Sequence, residues 1–389
     1  MGDMKTAANC AVDALLSPPG TGGDVAARRQ RGETLPGTGG DVAVRRQRGE
    51  NLPGTGGDVA VRRQRGEKLP PFGPDAPKSI DLSVTLAGVT LKNPVIPASG
   101  TFGYGREYAE LFDLDILGAF SWKGTTAQAR NGNPQPRIAE TPGGMLNAIG
   151  LQNPGVDAVI RDEVPNIARI FHGPVIANVG GFTPMEYAES CRKLEEVEQC
   201  AILEINISCP NVHAGGLNFG SDPDAAAEVT AAVRRVTRKP IFVKLSPNVS
   251  DITEIARACA DAGADGFCLI NTLLGMRIDL KTRRPVLANR TGGLSGPAIF
   301  PVALRMVWDV YEAVRLPIIG CGGVSSAEDV AEMMLAGAAA VEIGAAGLRD
   351  PYVYPRIINE LLNVCGRLGV TKIADLTGAA HNQYKEATL

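Results

Sequence analysis

From Ile80 onward the chain alternates short apolar runs, rich in β-branched residues, with longer amphipathic stretches. This alternation limits the fold more than any other feature, because it is the pattern of repeated βα units around a parallel sheet. Ile80–Leu91 (IDLSVTLAGVTL) alternates around a glycine and reads as a hairpin. Eight candidate strands follow: Val95–Ala98, Ala119–Lys123, Val175–Val179, Ala201–Ser208, Ile241–Leu245, Gly266–Asn271, Ile318–Cys321 and Ala340–Gly344. Helices fit between several of them. Ser221, Asp222 and Pro223 open one, a second spans Asp251–Ala262 before Gly263, and a third starts near Ser325 and Ser326 and stops at Gly337. Eight strands with intervening helices over about 310 residues is the count for an α/β (β/α)8 TIM barrel. A doubly wound open sheet is the competing arrangement.

The first 78 residues have a different texture. PGTGGDVA(A/V)RRQRGE begins at Pro19, Pro36 and Pro53, a period of 17 residues. Each unit carries three arginines and almost nothing apolar beyond Val and Ala, so it cannot bury enough surface to offset its chain entropy. The expected organisation is a disordered tail over residues 1–78 and one catalytic domain over 79–389. The RRQR clusters could alternatively form a basic arm for RNA or anionic surfaces.

Charge and cysteine usage narrow the function. Thirty-nine basic residues against 42 acidic give a net charge of −3, which makes no whole-chain case for binding nucleic acid or an anionic membrane. No apolar run reaches the length of a membrane span, and the start lacks a basic-then-apolar signal peptide. Eight cysteines without a CxxC pair argue against a disulfide framework and against a zinc or iron–sulfur site. A cytoplasmic location is expected.

In such a barrel the chemistry lies at the C-terminal ends of the strands. Those ends are polar here: Ser99, Lys123, Asn178, Asn206 to Cys209, Lys244, and Asn271 with Thr272. The last two strands end in GCGG (Gly320–Gly323) and GAAG (Gly344–Gly347). Glycines there let backbone N–H groups approach a phosphate without a Cβ in the way. No GxxxxGK[ST] loop is present, and no GxGxxG follows a first strand, so a mononucleotide such as FMN fits best. Cys209 sits in NISCPN where the strand breaks at Pro210, a place where a thiol can act as a base. Cys191, Cys200, Cys259, Cys268 and Cys365 read instead as buried small hydrophobes. His213 near Cys209 leaves a Cys–His nucleophilic pair conceivable, although no oxyanion-hole pattern accompanies it. Of Lys123 and Lys244, one ammonium could face the flavin N1–C2 carbonyl and the other a substrate carboxylate.

NPVIPASGTFGYG, WKGTT, GNPQPRIAETPGGMLNAIGLQNPG, NISCPNV, FVKLSPN, INTLLGM, GGLSGPAI, GCGGV and EIGAAG occur in this order across residues 93–347. In these motifs the chain resembles the dihydroorotate dehydrogenases, most closely the catalytic subunits of the NAD-linked class 1B. The serine base and amphipathic anchor of the membrane-bound class are missing. The resemblance implies a flavin-binding barrel that oxidises (S)-dihydroorotate to orotate in pyrimidine synthesis, with Cys209 taking the C5 proton while hydride leaves C6 for N5 of FMN. It implies that Asn147, Gly150, Leu151, Asn206, Asn211, Lys123, Asn271 and Thr272 hold the pyrimidine. Ser99, Lys123, Asn178, Asn206, Lys244 and Ile270 would contact the flavin ring or ribityl chain, and Gly296, Gly322, Gly323, Gly344 and Ala345 would line the route to its phosphate. It further implies a catalytic homodimer joined to a partner carrying FAD and a [2Fe–2S] cluster, as a heterotetramer. Two departures stand out: Ala345 replaces the usual threonine, and the repeats have no counterpart. A flavoprotein resembling dihydropyrimidine dehydrogenase, acting on uracil or thymine, and a non-catalytic binding module are the alternatives.

Overall fold

The computed structural model describes residues 80–208 and 219–382. The tail expected over residues 1–78 lies outside them. The chain opens on the expected hairpin, β1 (Val84–Leu86) and β2 (Val89–Leu91), antiparallel and joined at Ala87-Gly88. Both turn residues have positive φ, 46° and 88°, the backbone that matches the twist of a tight hairpin.

The eight predicted strands all form and make one parallel sheet. They are β3 (Val95–Pro97), β4 (Phe120–Ser121), β7 (Val175–Val179), β8 (Cys200–Asn206), β9 (Ile241–Lys244), β10 (Gly266–Leu269), β15 (Ile318–Cys321) and β16 (Ala340–Ile343). Each pairs with the next along the chain from β4 to β16, and β16 returns to pair with β3. Between β3 and β4 the ring is joined by the Gly118 N–H, which donates to Val95 O at 3.2 Å. Strand order that follows chain order and returns on itself is a barrel and excludes the doubly wound sheet.

Local chemistry explains where the strands begin. Pro94, Pro174, Pro240 and Pro317 each stand immediately before a barrel strand, where a missing N–H costs no ladder bond. Their carbonyls remain useful: those of Pro94, Pro240 and Pro317 accept from Val341, Leu203 and Phe267 at 2.8–3.0 Å. The outer helices are capped as the sequence suggests. Asp222 accepts from Ala225 N, Asp251 from Thr253 N, and Ser326 exchanges bonds with Asp329 in a capping box. The barrel strands are buried on both sides, so their Val, Ile and Phe side chains form one core with the inner faces of the helices.

A further layer lies beyond the predicted strands. β5 (Ile138–Thr141), β6 (Gly144–Asn147), β11 (Leu273–Gly275) and β14 (Gly292–Ser295) form an antiparallel sheet in the order β11–β14–β6–β5. A small hairpin of β12 (Ile278–Asp279) and β13 (Arg284–Pro285) extends between β11 and β14. These strands grow from the connections after β4 and β10, so they lie where the C-terminal ends of the barrel strands open.

Candidate active site

The rim of the barrel carries a connected set of amides. At the end of β8, Asn206 Oδ1 accepts from Ser208 N (3.3 Å), Ser208 Oγ (3.2 Å) and Asn271 Nδ2 (3.3 Å). Asn271 Nδ2 also donates to Ser208 Oγ at 2.7 Å, and its own Oδ1 accepts from Thr272 N at 2.7 Å. Asn248 Nδ2 then donates to Thr272 O at 3.1 Å, while Tyr187 OH donates to Asn206 O at 2.9 Å from beneath. The antiparallel sheet adds to this set. Asn147 in β6 pairs with Gly293 of β14, and a Cβ at Gly293 would sit 1.8 Å from Thr272 Oγ1. Glycine is therefore required for the two layers to meet. Leu151 holds a positive φ of 55° and lies beside Asn178 and Gly180; a Cβ at Gly180 would be 3.2 Å from its methyl. Gly150, with φ of 77°, turns the chain into it.

Lys123 stands apart from these paired groups. It follows β4, its N–H donates to Gly103 O at 3.0 Å, and its side chain is half-buried. Among the described residues its ammonium has no carboxylate partner; burial, and then the nearby Arg137 cation, hold its pKa below the usual lysine range. An uncompensated cation in a partly desolvated rim is a ready counter-ion for an acid. Asn178 Oδ1 is likewise buried without a donor.

The glycine loops lie side by side at the ends of β15, β16 and β3. Ile270 N–H donates to Cys321 O at 2.7 Å, and a Cβ at Gly322 would be 3.2 Å from Ile270 Cγ1. Gly322, Gly323 and Gly296 all have positive φ. A Cβ at Gly344 would meet only Ala98 and Thr101, at 3.6 and 3.7 Å, which leaves open space in front of that turn. Ser99 follows directly after Ala98, and Gly323, Gly344 and Ala345 are partly exposed. Cys209, Asn211 and His213 lie outside the described residues. His172 pairs with Asp115 on the surface, and His381 stacks on Trp308 at 3.5 Å.

Inside the barrel, below the rim, the side chains are polar where branched aliphatics usually fill the space. Ser121 Oγ donates to Glu204 Oε2 (3.2 Å) and Asn178 Nδ2 to Glu204 Oε1 (2.6 Å). Lys244 Nζ lies 2.5 Å from Glu342 Oε2, 2.9 Å from Cys268 Sγ and 3.6 Å from Glu204 Oε1. Both carboxylates are fully buried. Burial, and then the charge of Glu342, push the Glu204 carboxyl up to about 8. Burial acts on Glu342 in the same direction and is the largest single influence, but the charge of Lys244 together with hydrogen bonds from Glu204, Lys244 and Cys268 holds that carboxyl below its ordinary value.

The dihydroorotate dehydrogenase family model matches residues 81–365. This chain belongs to that family. Among the similar proteins are several named dihydroorotate dehydrogenase B (NAD(+)), catalytic subunit. The protein of Anoxybacillus flavithermus is 56% identical over 301 residues, covering 77% of this chain and 96% of the relative. That of Pelobacter propionicus is 58% identical over 299 residues, covering 77% and 98%.

As a dihydroorotate dehydrogenase family member, the chain is an oxidoreductase. Its barrel brings Ser99, Lys123, Asn178, Asn206, Lys244, Asn271, Thr272, Gly322, Gly323, Gly344 and Ala345 to one set of strand ends, with Asn147, Gly150, Leu151 and Gly296 supplied by the antiparallel sheet and its connections. One expectation shifts. The sequence expectation for Lys244 is an ammonium facing the flavin or a substrate carboxylate; in the structure its ammonium lies among Cys268, Glu204 and Glu342. Cys268, read as a plain buried hydrophobe, is one of its partners. Glu204 and Glu342 were missed altogether. The signal was present: AILEIN and AAVEIG each place one carboxylate in the middle of an apolar run that a parallel barrel buries on both sides.

Proposed function

We propose that this dihydroorotate dehydrogenase family member oxidises dihydroorotate to orotate on a bound FMN, in the cytoplasm. The observation that carries the reading is Lys123, a half-buried cation without an acid among the described residues, on the same rim as Asn147, Asn206, Asn271 and Thr272. A carboxylated ring whose edge alternates N–H and C=O groups matches one cation and several amides. A neutral pyrimidine would leave the Lys123 charge uncompensated, which disfavours uracil or thymine as the substrate.

The residues present fit a flavin. Asn178 Oδ1 is a buried acceptor awaiting a donor, and the turn at Gly344 has open space before it. Ser99, Lys123, Asn178 and Ile270 would hold the ring and ribityl chain; Gly296, Gly322, Gly323, Gly344 and Ala345 would hold the phosphate through backbone N–H groups. Lys244 would act on the ring from within the barrel. When bound, the flavin supplies an acceptor for hydride that no side chain can provide. Cys209, three residues beyond the end of β8, would take the proton from substrate C5. Asn147, Gly150, Leu151, Asn206, Asn211, Asn271 and Thr272 would fix the ring so that the scissile C–H bonds face base and acceptor. Among the described residues no helix is long and apolar enough to cross a membrane. Electrons would leave through a partner subunit bearing FAD and a [2Fe–2S] cluster toward NAD, with two catalytic chains and two partners in a heterotetramer.

The test is to purify the chain and add dihydroorotate without oxygen. Flavin absorbance that bleaches with dihydroorotate and not with dihydrouracil supports the reading. Cys209→Ser should keep the flavin and lose nearly all turnover at neutral pH. A colourless protein that takes up no FMN, or bleaching by dihydrouracil alone, overturns it.

A further inference from the structure

Four buried groups meet inside the barrel: Lys244 from β9, Cys268 from β10, Glu204 from β8 and Glu342 from β16. The ligand atoms of Glu204, Cys268 and Glu342 lie within 4.8 Å of one another, a set that could hold a metal ion. The position a cation would take is already filled, because the Lys244 ammonium contacts all three. With one lysine and two carboxylates the cluster would carry a net negative charge in a dry interior, which is costly unless one carboxyl keeps its proton. A geometric observation points the same way. Glu342 Oε1 is buried with no donor, and the two carboxyls interact by a side-chain hydrogen bond that one proton held between them would supply.

We propose that Glu342 is a positioning residue for Lys244: its carboxylate draws the ammonium into the barrel and cancels its charge, while Glu204 carries a shared proton, so this cluster rather than Lys244 alone sets how readily the bound flavin accepts electrons. The inference rests on the flavin reading above. Lys244 and Asn178 both belong to the residue set expected around the ring, and Asn178 also donates to Glu204, so the cluster is one side chain removed from that pocket. The groups facing Glu204 are Ser121 of β4, Asn178 of β7, Lys244 of β9, Cys268 of β10, Cys321 of β15 and Glu342 of β16. Both of those cysteines are pushed up by burial and stay neutral thiols, so Glu204 is the group that changes charge near neutrality. Below about pH 8 the cluster is neutral overall; above it, loss of the shared proton leaves the cluster with one negative charge.

The experiment is a spectroelectrochemical titration of the flavin in the purified holoprotein across pH. In Glu342→Gln alone Glu204 can release its proton and take over the pairing with Lys244, so the decisive variant is the double substitution Glu204→Gln with Glu342→Gln. It leaves the ammonium uncancelled and should shift the midpoint potential to more positive values by at least tenfold in the oxidised-to-reduced ratio, ~30 mV for a two-electron couple. In the unsubstituted protein the potential should fall more steeply with pH above about 8, and Glu204→Gln should remove that steepening while leaving lower-pH values unchanged. If the double variant does not fold, the Glu204→Gln arm still decides. Flavin bound with the same potential and pH slope in both variants overturns this inference and leaves the functional reading standing. Protein that takes up no flavin overturns that reading and this inference with it.

Discussion

Asn206 Oδ1 and Asn271 Nδ2 meet at 3.3 Å at the barrel mouth, Asn206 ending β8 and Asn271 two residues past β10, with β9 between the two strands. The contact ties the end of β8 to the segment after β10, and Ser208 Oγ sits 2.7 Å from the same Asn271 nitrogen. Two side chains on different elements thus share an orientation before any ligand arrives. Lys123, by contrast, comes to the rim with no such partner among the described residues. The contrast separates groups that are already set from a charge that waits for one.

Lys123→Met tests that waiting charge. Loss of a charge-assisted contact worth about 1.5–3 kcal/mol should lower kcat/KM for dihydroorotate by roughly ten- to a hundredfold. Removing an uncompensated, partly desolvated cation should leave folding stability unchanged or slightly higher. Steady-state kinetics together with urea denaturation check both halves. Normal kinetics would remove Lys123 from substrate binding.

The shared proton predicts how stability depends on pH. Glu204 is pushed up to about 8 in the folded chain, against roughly 4.3 when unfolded. The folded state therefore keeps a proton that the unfolded state releases. Its contribution is complete below the carboxylate range and is lost as pH rises toward about 8. Glu342, held low by Lys244, has the opposite sign, and its contribution is already complete at the start of that window. The denaturation midpoint should fall between pH ~5 and ~8, and Glu204→Gln should flatten the curve relative to the parent. An identical slope in both proteins would contradict a protonated Glu204.

Gly118 should tolerate no side chain. A Cβ there would lie 2.0 Å from the Asn93 carbonyl oxygen, which is backbone and cannot swing aside. Gly118→Ala should destabilise the protein by about 3 kcal/mol or more, through strain where β3 and β4 meet. A melting temperature within ~2 °C of the parent would show that the seam can relax.

Removing residues 1–78 should leave flavin content unchanged and the melting temperature within ~2 °C, the shift of about half a kcal/mol at this size. The motive is compositional: the repeats carry little that could be buried, and the family match begins at residue 81. A large loss of folded protein would contradict a tail independent of the barrel.

How far the sequence was legible follows from what its patterns encode. Val175–Val179 and Ile318–Cys321 form as predicted because a short apolar run bounded by proline and a polar or glycine turn leaves one outcome. Ala119–Lys123 shortens to Phe120–Ser121, since the Trp122 and Thr125 N–H groups reach their β7 carbonyls by an irregular path. The antiparallel sheet was invisible in advance. Its strands pair across long separations, Asn147 with Gly293 for instance, and GGLS and GMLN carry no period of their own. The rim residues were legible because polar groups at the ends of apolar strands are conspicuous. The interior cluster was harder to see, because each of its members reads alone as an exception and only the register of neighbouring strands places Asn206 beside Lys244 and Lys244 beside Cys268.

The pairing of Val341 with Val95 joins the last barrel strand to the first. During synthesis, therefore, β3 has no permanent neighbour on that side until nearly the whole domain has left the ribosome. The growing sheet carries two raw edges throughout that interval, and such edges invite association with other nascent chains. Productive closure in the cell thus depends on the C-terminal segment emerging before those edges find the wrong company.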